Sequence, residues 1–321
     1  MKTLSQYKKP IQLGFAILVV AFIVGTVAVN WDSFTSSVAR MDPRWLLGSL
    51  LAGFLGVCCS MLTWRSIVLA FGYRITIRDA SFVVFVSQIG KYLPGGVWPI
   101  VAGSQLGRRA GLPRTTTAVT LTAQLGVSLV TGSTLAAGAL LGFPALRGYA
   151  WLLVGCIALG TFAVLPPVLR RILRVMFRFL RRSDQLPTLR TGSLLAAVVW
   201  SLLSWAWFGV HIWAILSALG TVDPAALLPA VCGYALAWVV GFLAIVAPAG
   251  AGVREAILAL ALTNSVAASS ILGIVLVSRF VLILVDVAVC GYAILRGRVV
   301  GIEPLTTAED EPDDTTGPDP H

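Results

Sequence analysis

The chain has 321 residues, of which 57% are apolar and only 12% charged, and its mean hydropathy is +0.88. A water-soluble domain carries roughly 25% charged residues, so the composition excludes a soluble enzyme and points to an all-α polytopic membrane protein. The net charge of +10 is divided unevenly. Residues 1–300 hold all 24 Lys and Arg with seven acids, whereas residues 301–321 hold seven acids and no Lys or Arg.

In chain order, the first long apolar run is 11–29, preceded by Lys2, Lys8 and Lys9. It exceeds a signal-peptide core and has no A-x-A site, so it reads as a membrane anchor. Further runs at 45–64, 115–143, 149–169, 192–220, 225–247 and 266–295 match or exceed the ~20 residues that cross a ~30 Å hydrocarbon layer. These give about seven full spans. The five cysteines all lie in apolar runs, without zinc or redox spacing, and read as packing residues.

Lys and Arg in short loops mark the cytoplasmic side. They place both termini inside and bring the second run inward to Arg65, Arg74 and Arg78. Residues 80–107 are apolar but interrupted at Lys91-Tyr92-Leu93-Pro94-Gly95-Gly96, and Arg108, Arg109 and Arg114 follow. With both flanks cytoplasmic, this segment is expected to be a re-entrant hairpin. Such a broken backbone is tolerated at membrane depth only when buried in protein or lining a wet cavity. Residues 225–265 repeat the pattern from the other side, with a break at Pro248-Ala249-Gly250-Ala251-Gly252. Between them, the segment from Arg170 to Arg182 places most of its arginines on one helical face. It is expected to lie at the anionic inner leaflet or simply to fix topology.

The two broken segments suggest an internal repeat. Gly48-Ser49-Leu50-Leu51-Ala52 and Gly192-Ser193-Leu194-Leu195-Ala196 open equivalent spans. Each is followed by a broken hairpin and another long span. The expected organisation is a membrane domain over 1–300, with repeat one at 45–143, a connector at 149–191 and repeat two at 192–295. A disordered acidic tail follows at 301–321. The repeats have opposite topology, the plan of alternating-access transporters, and their relative motion is expected to switch access.

Charge within a membrane costs roughly 2.5–3.5 kcal/mol per residue on insertion scales. Lys91, Arg254, Glu255, Arg279 and Asp286 therefore need a reason to be there. One reading is a cavity between the hairpins that takes a phosphate. Lys91, Arg254 and Arg279 supply charge, a helix N-terminus at Gly252 supplies amides, and Gly95, Gly96, Gly250 and Gly252 permit close approach. Tyr92, Pro94 and Trp98 belong to the first tip, and Gln88 could line the cavity. Gln124 is a polar residue in mid-span. The competing reading is charge compensation, with Glu255 and Asp286 neutralising Arg254 and Arg279. The single internal histidine, His211, reads as packed. No metal cluster, nucleophile elbow or phosphate loop is present in the sequence, so no catalytic residue, metal or cofactor is expected.

The segments Gly90-Lys91-Tyr92-Leu93-Pro94-Gly95-Gly96-Val97-Trp98 and Pro248-Ala249-Gly250-Ala251-Gly252-Val253-Arg254-Glu255 together resemble the two signature segments of the lysylphosphatidylglycerol synthase transmembrane-domain family, over residues 45–295. The resemblance implies a re-entrant-hairpin flippase fold that moves lipid between leaflets. It also implies roles for Lys91, Pro94, Gly95, Arg254, Glu255 and Arg279. Many relatives carry Glu-Arg where this chain has Gln124-Leu125, and the full-length synthases carry an aminoacyl-transfer domain where this chain has its acidic tail. The expected function is transport of a phosphate-bearing lipid, a phospholipid or a polyprenyl-phosphate-linked one. The rival readings are a scaffold or accessory subunit of a cell-envelope glycosyltransferase or lipid-modifying enzyme, and a carrier of small solutes. Expected partners are membrane lipids, a second copy of the chain or an envelope enzyme, and not nucleic acid.

Overall fold

A computed structural model describes residues 31–92, 96–141, 189–220, 223–244, 252–263 and 268–299, with Gly250, Val266 and scattered positions between 151 and 175. The first apolar run, the basic segment from Arg170 to Arg182 taken as a whole, Pro94, Gly95 and the acidic tail lie outside the described residues.

The described chain is helical. Helix α1 covers Trp31–Val38, α2 Pro43–Ala70, α3 Ile77–Gln88 and α4 Trp98–Arg109. Helix α5 covers Arg114–Leu141, α6 Thr191–Ala218, α7 Leu227–Leu243, α8 Val253–Leu262 and α9 Ala268–Val299. Local signals set their starts. Asp42 accepts a hydrogen bond from the Arg44 amide at 2.8 Å, and Pro43 occupies the first helical position, where a missing N–H costs nothing. Thr76 accepts from the Asp79 amide at 3.1 Å to start α3.

Among the described residues, five segments are long and apolar enough to cross a membrane: Pro43–Ala70, Arg114–Gly138, Thr191–Ala218, Pro224–Leu243 and Ser270–Gly297. Their outward faces are apolar. Leu47 and Leu51 on α2, and Leu195 and Val199 on α6, are each about half exposed or more, on successive helical turns. Rows of exposed Leu and Val are unfavourable against water and suit lipid. The runs at 45–64 and 192–220 thus become helices α2 and α6, whose caps extend or trim the ends by a few residues. Helix α1 was not anticipated from the sequence, because eight residues with mixed polarity give no span signal.

Helices α3 and α4 have 12 residues each, about 18 Å at ~1.5 Å per residue, too short to cross. They fold back on each other. A Cβ on Gly90 would lie 3.0 Å from the backbone of Trp98 and Pro99, and one on Gly103 would lie 3.4 Å from Ser87. The pairing runs antiparallel. Helices α7 and α8 do the same, with Gly241 against Arg254 and Gly233 against Ala261. The second hairpin is lopsided: α8 has only 10 residues, whereas Pro224–Leu243 reaches across a membrane by itself. The asymmetry agrees with the apolar run at 225–247, which has no counterpart of that length in 80–107.

Contacts between helices fall into matched pairs. Helix α2 packs on α3 and α5, and α6 packs on α7 and α9. Helix α3 packs on α9 while α7 packs on α5; α2 meets α9 while α6 meets α5. Helices α2 and α6 join the two sets through the most extensive contact in the molecule. They are antiparallel along their whole length. The Asp42 amide donates to Ala218 O at 3.0 Å, and the Arg190 amide donates to Ala70 O at 3.1 Å. Between these ends, Ser204 Oγ donates to Gly56 O at 2.8 Å, and Ser49 Oγ lies 2.7 Å from His211 Nδ1. The other ring nitrogen of His211 is 3.0 Å from Ser278 Oγ on α9. His211 is fully buried and satisfied on both sides, as expected for a packed histidine.

Candidate functional site

Helix α9 carries both of its buried charges on one face, since positions 279 and 286 are seven residues apart, nearly two turns. Each charge meets the tip of a different hairpin. Asp286, 3% exposed, lies at the first. Its Oδ2 is 2.6 Å from Lys91 Nζ and accepts the Tyr92 hydroxyl at 2.5 Å. Lys91 and Tyr92 reach it from a single 3-10 turn, Ile89–Tyr92, at the end of α3.

Arg279 lies at the second tip. Its Nη1 is 2.8 Å from Glu255 Oε1. The other oxygen of Glu255 accepts the Gly252 amide at 2.6 Å. Glu255 therefore caps its own helix at the third position and ties that cap to α9. The amide proposed for an incoming anion is already engaged. Gly252 has φ +83°, a backbone region open to glycine and costly for other residues.

Arg254 points the other way. It donates to the Tyr234 hydroxyl, and its guanidinium carbon is 4.7 Å from the centre of the Tyr234 ring. Tyr234 is stacked on Phe208 at 5.1 Å, and Trp205 packs beside both Tyr234 and Trp238. An aromatic face attracts a guanidinium by ~0.5–2 kcal/mol. Arg279 and Asp286 stand about 10 Å apart along one face of α9, so the two tips meet neighbouring turns of that helix and form one charged centre. It holds three cations, Lys91, Arg254 and Arg279, against two carboxylates. Among the described cations of this centre, Arg254 is the one held by a phenol instead of a carboxylate.

The compensation expected from sequence is thus partly present and differently wired. Glu255 serves Arg279, but Asp286 serves Lys91. Gly96, Trp98 and Gly252 are exposed beside the centre, and Gln88 is half-buried. Gln124 is elsewhere: its amide nitrogen donates to Ser60 O at 2.8 Å and lies 3.1 Å from Ser60 Oγ, which ties α5 to α2. Sequence reading missed Tyr234 and the aromatic group around it. The available signal was a tyrosine next to Gly233 in an otherwise apolar helix. Among the described residues, no group of three His, Cys, Asp or Glu is placed to hold a metal ion.

Residues 11–290 match the family described as the lysylphosphatidylglycerol synthase TM region. The chain belongs to this family. The matched part is the membrane portion of those synthases, so the name carries no synthase activity to this chain. Membership and the five long apolar helices support a lipid-flipping transport role. No curated protein matches the chain.

Removing only the Tyr234 hydroxyl tests the Arg254 arrangement. Tyr234→Phe keeps the ring contacts and is expected to lower stability by about 1.5–3 kcal/mol, the range for a hydrogen bond to a charged group. Tyr234→Ala, which also empties the aromatic group, is expected to cost about 3–5 kcal/mol. Thermal unfolding in detergent separates the two.

Proposed function

We propose that the charged centre between the hairpin tips and α9 binds the phosphate of a lipid headgroup, and that the chain passes this lipid between leaflets. The observation that carries the proposal is the surplus cation. Lys91 and Arg279 have carboxylates at 2.6 and 2.8 Å, whereas Arg254 rests on a neutral ring. A phosphate accepts several hydrogen bonds from one guanidinium and restores the local balance.

The architecture is an inverted repeat with two hairpins entering from opposite faces. Two features support this reading: the matched helix contacts and the antiparallel crossing of α2 and α6. Both termini are cytoplasmic in a bacterial inner membrane, and the domain limits are those given from the sequence. Hydrogen bonds join α2 and α6 from end to end, so access switches by hairpin movement against α9. A rocking motion between α2 and α6 would break those bonds.

Arg254→Gln tests the phosphate site. Loss of a hydrogen bond to a charged group is worth ~1.5–3 kcal/mol, so affinity for a soluble glycerophosphate headgroup is expected to fall by about tenfold or more. Calorimetric titration of the purified protein measures it. Equal affinity in the variant would place the phosphate elsewhere.

A further inference from the structure

One end of the helix bundle gathers positive charge. The end of α2 meets the start of α6 there, through the Arg190 amide and Ala70 O. The start of α3 meets the end of α9, where Arg78 Nη2 donates to Arg296 O at 2.6 Å. The turn between α4 and α5 joins the same end, with Thr116 Oγ1 donating to the Tyr73 hydroxyl at 3.4 Å. Ile75, Leu112 and Ala293 pack in one cluster beneath it.

This convergence exposes Arg74, Arg78, Arg108, Arg109, Arg114, Arg190 and Arg296 around a single rim. Asp79 is the one acid among the described residues of that rim, and it accepts a hydrogen bond from the Thr76 hydroxyl at 2.7 Å. The opposite end is balanced: Arg40 and Arg44 stand with Asp42 and Asp223.

Helix α9 delivers the chain to this rim, three residues after Arg296. The sequence then runs through Glu303 and the block Glu309-Asp310-Glu311-Pro312-Asp313-Asp314, with no Lys or Arg. We infer that this acidic segment is the occupant of the arginine rim, held there by charge. Ten extended residues reach about 33 Å, several times the 8–10 Å between packed helices. Every arginine of the rim is thus within range of the block at 309–314. Tethering at that range gives an effective concentration on the order of millimolar, an advantage over any free anionic partner. The five acids of the block together with Glu303 stand against seven arginines, so the contact is close to neutral, and its strength falls with ionic strength. The surface is separate from the hairpin centre and does not depend on the transport reading.

The test uses the full chain in nanodiscs of phosphatidylcholine, with a photo-crosslinking amino acid replacing Pro312. Crosslinks are expected on the peptides that carry Arg74–Arg78 and Arg108–Arg114. They should disappear at high salt, in R108Q/R109Q/R114Q, and when Glu309, Asp310, Glu311, Asp313 and Asp314 are changed to their amides. The amide variant leaves the helical core untouched, so it separates lost charge from lost folding. Crosslinks that persist in the amide variant, or that map only to lipid or to apolar helix faces, overturn the proposal. If phosphatidylglycerol binds the rim equally well in the full chain and in a chain ending at Val300, the occupant is the anionic lipid, and the proposal fails.

Discussion

Lys91→Ala is expected to destabilise the protein more than Asp286→Ala does, although each removes one member of the same ion pair. The difference follows from exposure. The Asp286 side chain is 4% exposed and that of Lys91 is 36% exposed. Deleting Lys91 leaves a carboxylate buried in a membrane protein, with the Tyr92 hydroxyl still donating to it but its ion-pair partner gone. Breaking a buried pair in this way costs about 3–5 kcal/mol. Deleting Asp286 instead leaves a lysine whose long side chain can turn toward water, at a cost of about 1–2 kcal/mol, below the range for a fully buried pair. The double variant Lys91→Ala/Asp286→Asn removes the stranded charge and is expected to recover most of the loss. Unfolding midpoints of the three variants check the order. Equal losses from the two single variants would mean that Lys91 is as enclosed as its partner.

Gly209→Ala is expected to be the most damaging single methyl group in the described chain. A Cβ there would lie 2.1 Å from Val231 Cγ2 and 2.6 Å from Val231 Cα. The first contact could be relieved by a rotamer, but the second involves backbone. Helix α6 would have to move from α7, and α7 carries Tyr234 and the Gly241 face against which Arg254 rests. Overpacking of this kind costs about 1–3 kcal/mol, occasionally more, and this backbone clash belongs at the upper end. Gly48 and Gly192 are controls, since nothing lies within 4 Å of a Cβ at either position, and alanine there is expected to be neutral or slightly stabilising. Expression level and thermal midpoint of the three alanine variants give the comparison. A Gly209→Ala protein as stable as Gly48→Ala would refute the close α6–α7 approach.

Much of the fold was legible because hydrophobicity and length are properties read along a line. The run at 192–220 became Thr191–Ala218, and the run at 115–143 became Arg114–Leu141. Helices end at Gln88 and Leu243 and resume at Trp98 and Val253, on either side of the two Pro/Gly-containing segments. The five charges that merited attention do meet in one centre. Their partners were not legible. Asp286 and Lys91 are 195 positions apart, and only the packing of α3 on α9 brings them together. Glu255 has Arg254 beside it in sequence, yet adjacent helical residues point apart, and it pairs with Arg279. The aromatic group at Trp205, Phe208, Tyr234 and Trp238 was hidden for a related reason. Aromatic residues are common in membrane helices, so composition cannot separate those that line a site from those that meet lipid. The asymmetry of the second hairpin depends on where α7 ends, which polarity sets only loosely.

The central claim is that this chain moves lipid through the centre held by Lys91, Arg254 and Arg279. The most direct measurement is translocation of headgroup-labelled lipids in proteoliposomes, comparing wild type, Arg254→Gln and Gly48→Ala. Movement of a phosphate-bearing lipid by wild type and Gly48→Ala, with a large loss in folded Arg254→Gln, is the expected result. Movement at the wild-type rate in Arg254→Gln, or no movement of any phosphate-bearing lipid by the wild-type protein, would contradict the claim.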